Sequence, residues 1–201
     1  MIAFDEATHT YTVDGKVVPS VTQVLSIISD GEYAFVRPDV LERAKQFGLA
    51  VHRMIELDVA GSLDLEKLDP ALTPWLAQWH EACSDADIQV TQTERMVYHP
   101  TLRYAGRVDL IGSVHGEPAI VDIKTITRMT STIGAQTWAY REAAYYGVTR
   151  NETRPRRYGL HLQADSWKLL PFRKDADDGA LFTACLTIHR HKHKHLGESH
   201  D

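Results

Sequence analysis

The stretch from Tyr104 to Thr125 constrains the fold of this chain most. Two runs rich in Val, Ile and Leu flank the dipeptide His115-Gly116, which suits a tight link between antiparallel strands. In a hairpin closed there, residues whose numbers sum to 231 lie opposite each other, so Asp109 faces Asp122. Side chains alternate along a strand with a period of two, which puts Lys124 on the face of Asp122. Two carboxylates and an ammonium therefore converge among Val108, Leu110, Ile111, Ile120, Val121 and Ile123. Unpaired charge inside an apolar strand pair costs several kcal/mol or is neutralised. Two arrangements answer that cost. One is a cross-strand Asp–Lys ion pair on a solvated sheet face, a common and energetically minor feature. The other is a divalent cation: paired hard oxygens suit Mg²⁺, which keeps waters and takes further ligands from a substrate phosphate. Lys124 then orients or helps deprotonate the attacking water, or neutralises charge building at phosphorus.

Periodicity places the elements around this hairpin. THTYTVDGKVVPSVTQVL reads as a further hairpin, with Tyr11 and Val13 before an Asp14-Gly15 turn and Val17 after it. Ser20 caps a short helix carrying Val24, Leu25 and Ile28. From Asp39 to Val59, Val40, Leu41, Ala44, Phe47, Val51, Met54 and Ile55 recur at three and four residues and predict an amphipathic helix ended by Gly61. Leu76, Trp79 and Cys83 predict a second helix after Pro74, and Val90 to Tyr98 a strand. A helix from about Ser131 to Gly147, strands Arg157 to Gln163 and Trp167 to Phe172, and a helix from Asp177 to about His189 complete the order. Helix, three strands, helix, two strands predicts an α/β fold: a central mixed sheet flanked by helices. One domain is expected over 1–190, with a hairpin and helix in 1–38, the core in 39–172 and a C-terminal helix in 173–190. Residues 191–201, where histidine alternates with cations, are expected as a flexible, solvated extension.

Charge is unevenly spread. The net charge of -5 argues against coating nucleic acid non-specifically, because phosphate binding relies on Lys and Arg. Residues 101–174, however, hold twelve Lys/Arg against six Asp/Glu, leaving ten against twenty-one elsewhere. Cys83 and Cys185 lie far apart with no CxxC neighbourhood and read as core thiols rather than a disulfide framework or a cysteine-ligated metal. The start has no basic segment followed by an apolar run, and no stretch reaches the roughly 20 apolar residues of a membrane span, so a cytoplasmic location without membrane association is expected.

On the first long helix, Gly48, His52 and Glu56 recur every four residues as one stripe. Gly48 permits close approach to a neighbour, which lets His52 present an imidazole to the carboxylates; a structural histidine is the alternative. Glu56, and Glu94 on the strand before Asp109, read either as metal or water ligands or as solvated residues.

The runs Gly48-Leu49-Ala50-Val51-His52, Gly106-Arg107-Val108-Asp109, Val121-Asp122-Ile123-Lys124-Thr125 and Gln136-Thr137-Trp138-Ala139-Tyr140 resemble, in that order, four motifs of RecB-type nucleases. These are GxxxH, GxxD, DxK and QxxxY of the PD-(D/E)xK superfamily. The likeness covers roughly residues 48 to 146, and the opening YTVDGKVVPSVTQVL resembles phage-encoded and mitochondrial exonucleases more loosely. The resemblance implies a restriction-endonuclease-like core and a Mg²⁺- or Mn²⁺-dependent DNA phosphodiesterase, an exonuclease of phage or prophage recombination or repair. A structure-selective endonuclease and a catalytically silent DNA-binding module are the alternatives. It implies metal ligation by Asp109, Asp122, the carbonyl of Ile123 and His52, with Lys124 acting on the water; a nitrogen ligand also suits Mn²⁺. Gln136 and Tyr140 would lie near the active site and the DNA, and Arg103, Arg107, Arg128 and Arg141 are candidates for phosphate contacts, each also readable as an ordinary surface arginine. Arg154, Arg156 and Arg157 read as a solvated strand edge. The implied partners are linear DNA with free ends and a single-strand annealing or binding protein. The iron–sulfur branch of the family needs four cysteines, so with two in this chain no iron–sulfur cluster is expected. No interface signature marks an oligomer.

Overall fold

The computed structural model describes residues 1–29, 31, 35–126, 129–148 and 154–197. Strands β1 (Ile2–Asp5), β2 (Thr10–Val13) and β3 (Lys16–Val18) form a small antiparallel sheet in that order. The β2–β3 turn is Asp14-Gly15, both at positive φ (49° and 76°), as a two-residue hairpin requires. β1 was not expected: four residues alternating half-buried and exposed form too short a run to register as a strand before pairing with β2.

Helix α1 (Val21–Ser29) begins at Ser20, whose hydroxyl accepts from the Gln23 backbone N–H at 3.0 Å while the Gln23 side chain accepts from the Ser20 N–H at 2.9 Å. This reciprocal cap satisfies two donors that a helix start otherwise leaves open. Helices α2 (Pro38–Val59) and α3 (Thr73–Asp85) follow. Only the second half of α2 enters the core, through Val51, Met54 and Ile55; Val40 and Leu41, expected on its apolar face, are exposed.

A five-stranded sheet of order β4 (Ile88–His99), β5 (Tyr104–Val114), β6 (Glu117–Lys124), β7 (Arg156–Leu162) and β8 (Trp167–Phe172) forms the centre. All pairs are antiparallel except β6–β7, which is parallel and joined through helix α4 (Ile133–Ala144). A parallel pair needs such a crossover. One sheet face packs Leu110, Val114, Val121, Ile123 and Leu160 on α2 and α3. The other packs Val108, Ile111 and Ile120 on α1, α4 and the last helix, α5 (Asp175–Gly197). The architecture is thus a mixed sheet between helical layers, with the small sheet tied to β5 by the Ser20–Ala105 bridge and by Ala105 N–H donating to Pro19 at 2.9 Å.

Two expectations need correction. α5 continues to Gly197, so residues 191–194 are exposed as expected but helical rather than frayed. Arg157 does not belong to a solvated edge. It is 1% exposed, donating to Asp175 at 3.0 Å, Asp178 at 2.7 Å and the Gly134 carbonyl at 2.6 Å, and so clamps α4 and α5 onto β7. Cys83 and Cys185 are free thiols, half-buried and buried. No helix among the described residues is long and apolar enough to cross a membrane.

Candidate metal centre

Backbone pairing of β5 with β6 runs from Val114–Glu117 to Leu110–Val121, the register in which residue numbers sum to 231. At Asp109 a side chain takes over from the ladder. Its Oδ2 accepts from the Ile123 backbone N–H at 2.7 Å, a short charge-assisted bond made to the residue beside Asp122. The two strands part at this point, and groups from both faces of the sheet enter the gap.

From one face comes His52 on α2. Its Nε2 lies 3.2 Å from the Ile123 carbonyl, and its Nδ1 lies 3.5 Å from Glu94 and 3.8 Å from Asp109. Gly48, one turn earlier, suits this approach: a Cβ there would stand 3.1 Å from Thr125 Oγ1, tighter than ordinary contact. Burial alone would lower the imidazole pKa, but the charge of Asp109 and the hydrogen bond to Glu94 outweigh it and raise it to about 9, against opposition from Lys124. His52 is therefore protonated at neutral pH when no metal is bound.

From the other face come Gln136 and Tyr140 on α4. The Gln136 amide donates to Asp122 Oδ1 at 2.9 Å and to the Tyr140 hydroxyl at 3.1 Å. Gly106 gives Tyr140 its place, since a Cβ there would fall 2.5 Å from Tyr140 Cε1. Asp122 is 1% exposed, and Lys124 Nζ lies 2.7 Å from its Oδ2. At that distance the ammonium compensates the charge of this buried oxygen. Burial raises the Asp122 pKa to about 6; Lys124 opposes the rise and Asp109 adds to it.

Ligand atoms of His52, Glu94 and Asp109 all lie within 4.8 Å of one another. Asp122 stands beside this group rather than in it, facing Lys124 and Gln136, so the site straddles the opening of the sheet instead of occupying one face as the hairpin geometry suggested. Glu94 enters where a solvated residue was the alternative. It sits at φ 48°, a conformation that costs a non-glycine residue on the order of 1 kcal/mol and that concentrates at functional positions. β4 and β5 pair with numbers summing to 203 around it, as in Thr93–Leu110 and Arg95–Val108, which sets Glu94 opposite Asp109.

The remaining candidates divide. Arg107 borders the site, 3.8 Å from Glu94, with its guanidinium 4.7 Å over the Phe4 ring of the small sheet. Arg103 is exposed in the β4–β5 turn. Arg141 is no surface arginine: buried, it pairs with Asp175 at 2.8 Å and Glu142 at 3.2 Å, so α4 uses it internally. Glu56 pairs with Arg53 on its own helix and stands outside the cluster. Arg128 lies outside the described residues.

The residues fit a hard divalent cation. The carboxylates of Glu94 and Asp109 and the His52 imidazole, with the Ile123 carbonyl and Asp122 beside them, suit Mg²⁺ or Mn²⁺. No protein-family model matches the chain, and no curated protein matches it.

Proposed function

We propose that the protein is a Mg²⁺- or Mn²⁺-dependent deoxyribonuclease of the PD-(D/E)xK type, an exonuclease that hydrolyses phosphodiester bonds of linear DNA in the cytoplasm during phage or prophage recombination or repair. The reading rests on the motif resemblance. The observation that carries it is the gap between β5 and β6, where His52, Glu94 and Asp109 converge beside the buried Asp122–Lys124 pair. His52, Glu94, Asp109, Asp122 and the Ile123 carbonyl would hold the ion. Bound there, it supplies positive charge that draws in the scissile phosphate and offsets charge developing on its oxygens.

The chain's own groups account for the remainder. Lys124 positions the attacking water and stabilises negative charge at phosphorus, while Asp122 fixes the ammonium. Gln136 holds Asp122 Oδ1 from behind, and Tyr140 holds Gln136, so the carboxylate keeps one orientation. Arg107, kept between Glu94 and Phe4, offers a cation to a neighbouring phosphate. Hydrolysis then joins the water oxygen to phosphorus, breaks one P–O ester bond and leaves the departing oxygen protonated.

A nuclease assay tests the proposal. Asp122→Ala and Lys124→Ala should each abolish Mg²⁺-dependent degradation of linear DNA, and closed circular DNA should resist the parent. If both variants cut like the parent, the catalytic assignment is wrong; if circular DNA is cut, the enzyme is an endonuclease of the same chemistry.

A further inference from the structure

The far end of α5 carries charge that the cleavage site does not use. Its last core residues are Phe182, Cys185 and Leu186, and from Ile188, 45% exposed, the helix has left the core yet continues to Gly197. Between Asp178 and Glu198 the sequence holds no acid, while Arg190, Lys192 and Lys194 alternate with His189, His191 and His193. This end of the helix forms one wall of a groove of about 720 Å³, opposite Val17 of the small sheet, Pro19 just after it, and Gln23 and Ser26 of α1. Among the described residues, no acidic side chain lines the groove. Cations and amide and hydroxyl donors suit phosphate oxygens, and the absence of acids along the described lining leaves nothing to repel them.

Its place in the fold relates it to the metal centre. Arg190 donates to the Leu102 carbonyl in the β4–β5 turn, beside the exposed Arg103. β5 leads from that turn to Asp109, five residues past Tyr104, which is about 17 Å of strand. At about 3.4 Å per base pair this corresponds to about five base pairs of duplex.

We propose that this groove and the cationic end of α5 dock the phosphate backbone of DNA about five base pairs from the bond being cut. The location of that bond rests on the nuclease reading; the docking itself does not. Binding of labelled DNA in EDTA tests it without hydrolysis, using a duplex of about 30 base pairs and a hairpin with a stem of about four, too short to span both places. Lys192→Glu should weaken binding of the long duplex about tenfold, and Arg190→Glu with Lys192→Glu about a hundredfold, with the salt dependence falling by roughly one unit for each cation removed. Lys192→Arg should bind like the parent, and the hairpin should not distinguish any of these proteins. Unchanged binding of the long duplex by Lys192→Glu overturns the proposal, as does equal weakening for both lengths. If the parent cuts no DNA and the length-dependent weakening persists, the nuclease reading falls and the docking surface stands.

Discussion

Asp122 keeps a carboxylate where water barely reaches it, and its protonation sets how the metal-free protein responds to pH. Its pKa is raised from 3.8 to about 6, so its contribution to stability is fully present below about pH 4 and is lost as pH rises through about 6. Asp122→Asn removes the charge at nearly constant shape. In EDTA at pH 8 it should melt higher than the parent, by on the order of 1 kcal/mol, with the difference vanishing near pH 4; a lower melting temperature at pH 8 would contradict the burial cost assigned to this group. His52 responds in the same direction, since stability from its protonated form is present below 6.5 and lost as pH rises through about 9. An ion must displace that proton. The Mn²⁺ dissociation constant measured by calorimetry should therefore fall about tenfold from pH 7 to pH 8, and His52→Gln should bind more weakly with little pH dependence. The aspartates and lysine were legible because they interrupt an apolar strand pair, and the histidine because it shares a four-residue stripe with Gly48. That His52 and Gln136 reach them from opposite faces of the sheet was not, because register arithmetic does not report where a ladder ends.

Single atoms decide how the elements fit. Gly106→Ala would place a methyl group 2.5 Å from Tyr140 Cε1 and 3.2 Å from Val21 Cγ2, between β5, α4 and α1. It should cost about 1–3 kcal/mol in urea unfolding. Adding Tyr140→Leu should restore part of that stability without restoring DNA cleavage, since Gln136 then has no hydroxyl partner; full recovery of cleavage would remove Tyr140 from the site. Long alternating runs were readable as elements, and β5 spans the residues its pattern indicates. Short or charged stretches were not. β1 is defined by its partner rather than its composition. Arg157 resembled a surface cation because Asp175 and Asp178, which justify its burial, stand on α5 rather than on its own strand, at no fixed spacing. The cationic end of α5 has no apolar period, and helical continuity carries it beyond the core.

Across the whole molecule, the candidate centre draws on both helical layers and three strands. An ion held by His52, Glu94 and Asp109 joins α2 to β4 and β5, and it binds the native state alone. At a hundredfold excess over its dissociation constant, Mn²⁺ should add about 2.7 kcal/mol, roughly 5–10 °C in melting temperature for a chain of this size. Asp109→Ala should abolish that shift, and a parent protein that melts identically with and without Mn²⁺ has no such ion. The meander itself has one more effect. β4, β5 and β6 are joined by short turns, whereas β7 must await the crossover through α4, so the antiparallel strands close smaller loops and associate first during folding. Glu94, Asp109 and Asp122 thus lie on one continuous meander, whereas Gln136 comes from the crossover helix that follows it. Over residues 88–124 four acids are matched by four Lys/Arg, so the acidic cluster is built into a stretch without net charge.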